Sequence, residues 1–421
     1  MVNNENIVRL LIESGADVNK ESKYGNIPLI ETCKKGYENI VRLLIENGAD
    51  VNIEDKYGEI PLIESCRKGN KNIVRLLIEN GADVNKESKD GDIPLIKACR
   101  RYNENTVRFL IENGADINEE DKNGDTSLIY SCIIGNENNV RLLIENGAYV
   151  NKENKDGNTP LIEACMRNNE NIIRSLIENG ADINQENKYG SIPLMEACRN
   201  FNENIVRLLI ENGADVNIED KDGEIPLIKA CEVGNENIVR LLIENGADVN
   251  KENKEGDTSL IKACILGNEN IVILLIENGA DVNKEDKNGH TPLIEACMRN
   301  NENIIRFLIE NGADINQENK DGDSPLLEAC RNCNQNIERL LNEKGTDINK
   351  EDKDGHTSLI VAHRKDKDKN GHTSLIVAHR KDKDKNGHTS LIVAHRKSKD
   401  KNGHASLSRA YGKIMKVLKN F

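Results

Sequence analysis

The residue types that could do chemistry in this chain come in long series. Ten of the eleven cysteines, Cys33 through Cys330, stand 33 residues apart. A zinc site needs Cys and His in short clusters, and a disulfide framework needs Cys in pairs. One thiol per 33 residues offers neither. It reads as a small buried apolar residue at one phase of a repeated helix. Cys333 is out of phase and is given no role. Unpaired thiols suit a reducing compartment, so an intracellular placement, cytoplasmic or nuclear, is expected.

The carboxylates form a series too. Glu46 recurs in every copy of the period and Asp50 in all but one, where Tyr149 stands, whereas a catalytic pair should be singular, so these read as a solvated surface. Of the eight histidines, His356, His363, His372, His379, His388 and His395 alternate spacings of seven and nine residues, which is not the spacing of a helical ligand pair. His356, His372, His388 and His404 follow a turn glycine, as His290 does. Repeat phase accounts for them. The chain has no phosphate-binding loop, dinucleotide glycine signature, zinc-protease motif, nucleophile elbow or kinase motif. No catalytic, cofactor-binding or metal residue is therefore expected, and the protein is not read as an enzyme.

What positions these series is a module. Glycine recurs every 33 residues from Gly15 to Gly345 and again from Gly25 to Gly355, and all eight prolines fall at one phase. In the copy at 156–188, Asp156 and Gly157 make a turn, Thr159 can cap a helix, and Pro160 suits a first helical position because no donor is needed there. Leu161, Ile162, Ala164 and Cys165 give that helix an apolar face. A second helix begins near Glu170, carries Ile172, Ile173, Leu176 and Ile177 at helical spacing, and ends where Gly180 can take a left-handed conformation. Neither helix can be buried within one unit, so stability must come from stacking on neighbours.

The turn glycine, T-P-L, a small-residue pair, G-N-E-N-I-V-R-L-L-I and G-A-D-V-N together resemble the ankyrin repeat over about five sixths of the chain. The resemblance implies an all-α repeat solenoid of helix-turn-helix units joined by β-hairpin-like loops, acting as a protein–protein interaction scaffold or adaptor. The histidine usual after T-P-L is Ile here (Ile30, Ile63, Ile96), and in five copies Ile27, Ile60, Ile93, Ile192 and Ile225 replace the capping Thr. Those copies should be held more by packing than by capping. Copies 156–188 and 288–320 differ at three positions only, which points to duplication of a block.

Four segments follow: 1–23, a half repeat with a second helix at Asn6 to Ile12 and no first helix, which reads as a truncated start; 24–353, ten full repeats; 354–399, a basic His-containing tail of 16-residue partial repeats that copy only turn and first helix; and 400–421, a degenerate capping unit. Without second helices, the Leu-Ile-Val-Ala stretches at 359, 375 and 391 lack a standard partner, and fast amide exchange is expected over 366–399. From 354 onward 16 Lys and Arg face 6 Asp, a net of +10, which leaves −24 for 1–353. The alternative function is therefore a nucleic-acid or anionic-membrane-surface binder acting through this tail. Lys and Asp alternate in it, however, and no aromatic interleaves before Tyr411, so nucleic acid is not the favoured partner. No apolar run approaches the ~18 residues of a membrane span.

The expected partner is another protein carrying an acidic segment, bound by a monomer. In ankyrin-like proteins the concave side is formed by hairpin tips and inner-helix ends. Here these are the residues beside the turn glycine and the two after the phased cysteine: Tyr24, Lys34 and Lys35; Tyr57, Arg67 and Lys68; Arg100, Arg101 and Tyr102; and Tyr189. Ile133, Ile134, Val233, Ile265 and Leu266 hold the same helix-end positions in later copies and would extend the contact as exposed apolar groups.

Overall fold

A computed structural model describes residues 4–100, 103–332, 334–347 and 352–354, together with the backbone of 379–383 and 389–391. Arg101, Tyr102, Cys333 and nearly all of the 354–421 tail lie outside the described residues. Two compact units are present, Met1–Asp248 and Val249–Phe421, and each is described by itself.

In the first unit every full copy supplies two helices, such as Pro160–Met166 followed by Glu170–Glu178. The local causes are those the sequence implies. Thr159 Oγ1 accepts a hydrogen bond from the Ile162 N–H at 3.3 Å, with Pro160 in the first turn. Asn169 Oδ1 accepts from the Ile172 N–H at 3.3 Å and starts the second helix. The second helix stops at Glu178, and Gly180 follows at φ +84°. Ile27, Ile60, Ile93, Ile192 and Ile225 make no side-chain cap, and all five are buried, so packing does replace capping there.

Each first helix lies against its own second helix, and within the unit consecutive first helices lie against one another, as Pro28–Lys35 lies on Pro61–Lys68. Leu161, Ile162, Ala164 and Cys165 are wholly buried, as are Ile173 and Leu176 of the following helix. Full burial of an aliphatic side chain of this size contributes about 1.5–3 kcal/mol, and that sum sustains helices too short to persist alone.

A second device stitches copies together. Asn151 Nδ2 donates to the Gly180 carbonyl at 3.0 Å, and Asn151 Oδ1 accepts from the Asp182 N–H at 2.8 Å. Asn52, Asn85 and Asn184 repeat the pair of bonds. The turns also touch, since the Lys188 N–H donates to the Asp156 carbonyl at 2.9 Å. Gly157, at φ +79°, is required there twice over, because a Cβ would come within 2.6 Å of the Lys188 nitrogen. The half repeat at the start forms the helix Glu5–Glu13, with Ile7, Leu10 and Leu11 exposed.

The second unit repeats the plan with first helices Ser259–Leu266, Pro292–Met298 and Pro325–Arg331 and second helices Glu269–Glu277, Glu302–Glu310 and Gln335–Glu343. It also has a short antiparallel strand pair, His379–Lys383 with Thr389–Leu391. Leu391 was expected to begin a first-helix stretch and instead ends a strand. The 16-residue copies carry no second helix, so an isolated first helix there has no face to pack on. The 359 and 375 stretches lie outside the described residues. Among the described residues no helix is long and apolar enough to cross a membrane.

Candidate partner-binding surface

Side-chain hydrogen bonds close the turn tips of the first unit. Asp55 Oδ1 accepts from the N–H groups of Tyr57 and Glu59, both at 2.9 Å, and closes the turn from within. Tyr57 projects from it with 55% exposure, and Tyr24 one copy earlier with 63%. The Tyr57 hydroxyl donates to the Tyr24 carbonyl at 3.1 Å, so the two tips form a continuous strip. Lys23 and Lys56 lie 4.7 and 4.8 Å from the centres of these rings, in cation–π range. Tyr189, on the tip closed by Asn187, is 66% exposed.

The basic residues at the helix ends divide into two groups. Lys34 is half-buried and bonded to Glu31 at 3.2 Å and to Glu59. Arg67 pairs with Glu64 and with Glu59 at 3.4 Å. Burial opposes the Lys34 charge, yet Glu59 and Glu31 together raise its pKa; the Glu64 carboxylate does the same for Arg67. Arg100 stacks 4.1 Å from the Tyr130 ring and donates to its hydroxyl, which in turn donates to Asp121 Oδ2 at 2.9 Å. These three cations are already engaged by the protein itself. Lys35 and Lys68 are exposed.

Of the apolar helix-end positions, Leu266 in the second unit is exposed at 55%. Ile133, Ile134, Val233 and Ile265 are half-buried, which corrects the expectation that all five present open apolar surface. The first helices pack on one another along their length, so their last turns stay partly covered. Arg101 and Tyr102 lie outside the described residues.

Two further residues, Phe201 and Met166, belong with the tyrosines. Phe201 is 60% exposed and sits at φ +59°, and Met166 is exposed near it in the chain of contacts, with Asn200 Nδ2 donating to the Met166 carbonyl at 3.3 Å. The position three after the phased cysteine is Gly36, Gly69, Gly135 or Gly234 in other copies of this unit, Asn168 in one and Tyr102 in another. Glycine and asparagine tolerate a left-handed backbone; an aromatic there costs about 1–2 kcal/mol. That break in a glycine series was the available signal.

Burial pushes the Cys33 and Cys99 thiols up to about 12 and the Cys66, Cys132 and Cys165 thiols further, so they remain protonated. Desolvation likewise raises Glu163, Glu295 and Glu328, one in each of three copies. A groove of about 560 Å³ runs between the second helices Glu137–Glu145 and Glu170–Glu178, lined by Glu137, Arg141, Glu145, Arg174 and Glu178. It opens beside Ser175, where other second helices carry Leu or Phe.

The family model described as ankyrin repeats in three copies matches five overlapping stretches, residues 1–88, 84–154, 135–220, 194–286 and 281–352. No curated protein matches the chain.

Proposed function

Because the chain belongs to the ankyrin-repeat family, whose repeats generally mediate protein–protein interaction, we propose that it is a non-enzymatic scaffold whose partner docks on the turn tips and first-helix ends of residues 24–201. The observation that carries this is the set of aromatics held open to solvent there, Tyr24, Tyr57, Tyr189 and Phe201, in a chain with only 3% aromatic residues. Large rigid aromatic side chains lose little entropy on binding and dominate contact energies. Lys35 and Lys68, exposed at first-helix ends, favour an acidic segment in the partner.

The test is an affinity pull-down from the native cell with Tyr24, Tyr57 and Tyr189 all changed to Ala, with circular dichroism as the folding control. A second bait carries Lys35→Glu and Lys68→Glu. Arg67 is left intact, since reversing it would break the Glu59 and Glu64 pairs and confuse folding with binding. Partner recovery should fall about tenfold or more with the tyrosine variant, the loss of one hot-spot residue's worth of contact. Undiminished recovery by a folded triple variant removes the proposal.

A further inference from the structure

Each copy holds a polar cluster built the same way: a turn residue, a second residue four later, and a third on the first helix nine later. In the copy at 154–163, Asn158 Nδ2 donates to Glu163 Oε1 at 2.7 Å. One copy on, the Ser191 hydroxyl donates to Glu196 Oε1 at 2.6 Å. In the second unit, Lys262 Nζ meets Asp257 Oδ2 at 2.8 Å. Each of these carboxylates has a donor of its own.

At 286–295 the same three places hold Asp286, His290 and Glu295. His290 Nδ1 lies 3.1 Å from Glu295 Oε1 and 3.5 Å from Asp286 Oδ2. A ring nitrogen carries at most one hydrogen, so it cannot serve both carboxylates fully. Glu295 is 5% exposed, and its Oε2 is buried without a hydrogen bond. The Arg299 Nε stands 3.8 Å from that oxygen on an exposed side chain.

We propose that Asp286, His290 and Glu295 form a binding site for a divalent transition-metal cation of the zinc class. The three ligand atoms lie within 4.8 Å of one another. In a tetrahedral zinc site with bonds near 2.0–2.1 Å, neighbouring ligand atoms stand about 3.3 Å apart, which the two imidazole–carboxylate distances bracket. One imidazole nitrogen with two carboxylate oxygens suits zinc or a neighbour in its row better than magnesium or calcium. The Asp286 carboxylate is already oriented, because its Oδ1 accepts from the N–H groups of Asn288 at 2.8 Å and His290 at 2.7 Å and leaves Oδ2 facing the ring. A cation supplies the missing partner of the buried Glu295 carboxylate and ties the turn to the first helix. Cys and His at short spacing are the sequence mark of a zinc site, and the expectation of no metal rests on their absence; this set is Asp-x3-His-x4-Glu.

The test uses the full-length chain with zinc chloride, wild type against His290→Asn. Asparagine holds the equivalent place at Asn158 in a nearly identical copy, so the variant is expected to fold. The seven tail histidines are present in both proteins and cancel in the difference. Equilibrium dialysis should show one zinc equivalent fewer in the variant. At zinc about ten times its dissociation constant, amide exchange over 286–296 should slow about tenfold in the wild type and not in the variant. Equal zinc equivalents in the two proteins, or wild-type exchange over 286–296 indifferent to zinc, overturns the proposal. Should His290→Asn fail to fold, the wild-type exchange measurement decides alone.

Discussion

Residues 156–188 and 288–320 are nearly one sequence in two places, differing at 156/288, 158/290 and 175/307. The first difference leaves the local fold alone: Asp156 and Asn288 use the same backbone carbonyl to accept from Lys188 at 2.9 Å and from Lys320 at 2.8 Å. The second changes what a buried glutamate faces, an amide donor at Glu163 and a shared imidazole at Glu295. The third sets Ser175 beside an open groove where the other copy has Phe307. The pair teaches that the repeat's scaffold is set by shared residues, and that individuality enters through side chains around it.

If scaffold energetics are common to both copies, Leu176→Ala and Leu308→Ala should each cost about 2–5 kcal/mol and by similar amounts, since both side chains are wholly buried. Native-state amide exchange in Glu170–Glu178 and Glu302–Glu310 reads this locally. A large inequality would mean that the copies do not share a core.

The helix-end position separates Phe201 from Asn168 and Asn300, which take the same left-handed backbone at φ 60° and 62°. Phe201→Gly should stabilise its copy by about 1 kcal/mol through relief of that strain while lowering partner recovery. Stabilisation without loss of binding would mark Phe201 as strained for no purpose in recognition.

The caps sharpen the comparison further. Thr159 and Thr291 each accept from the N–H three residues on, at 3.3 and 3.2 Å, so Thr159→Ala and Thr291→Ala should each cost about 1 kcal/mol. Denaturant melts that separate the two variants would place an additional role on one of these hydroxyls.

The smallest effect is one of pH. Desolvation first, against the Asn158 hydrogen bond at Glu163 and the His290 charge at Glu295, raises both carboxyls above 4.5 in the fold. A raised carboxyl binds its proton more tightly in the native state, so its contribution to stability is fully present below about 4.5 and is lost as pH rises through the raised value. Glu163→Gln should flatten that decline in melts taken from pH 4.5 to 7. An unchanged slope would show that burial of Glu163 is not its source.

Much of this was legible in the residues. Pro160, Thr159 and Gly180 mark their helix boundaries because each acts through local backbone geometry, and the five uncapped isoleucines announce themselves by replacing a hydroxyl. Asn151 was not read as a stitch between copies, since its two partners lie about thirty residues away and only stacking brings them together. Lys34 and Arg67 looked like an open basic stripe because Glu59 belongs to the next turn relative to Lys34, and its reach back is a property of the stack. Phe201 could have been found from its break in the glycine series. The exposure of Ile133 and Ile265 depends on how far adjacent first helices cover their last turns, and sequence spacing does not carry that.

Recognition at turn tips and first-helix ends is the proposal on which the functional reading depends. Its most direct test is amide hydrogen exchange of the full chain with and without the recovered partner. Protection should appear at residues 22–26, 55–59 and 187–191, with the second helices around the Ser175 groove unchanged. Protection confined to 137–145 and 170–179, with the three tips exchanging as in the free protein, would contradict it.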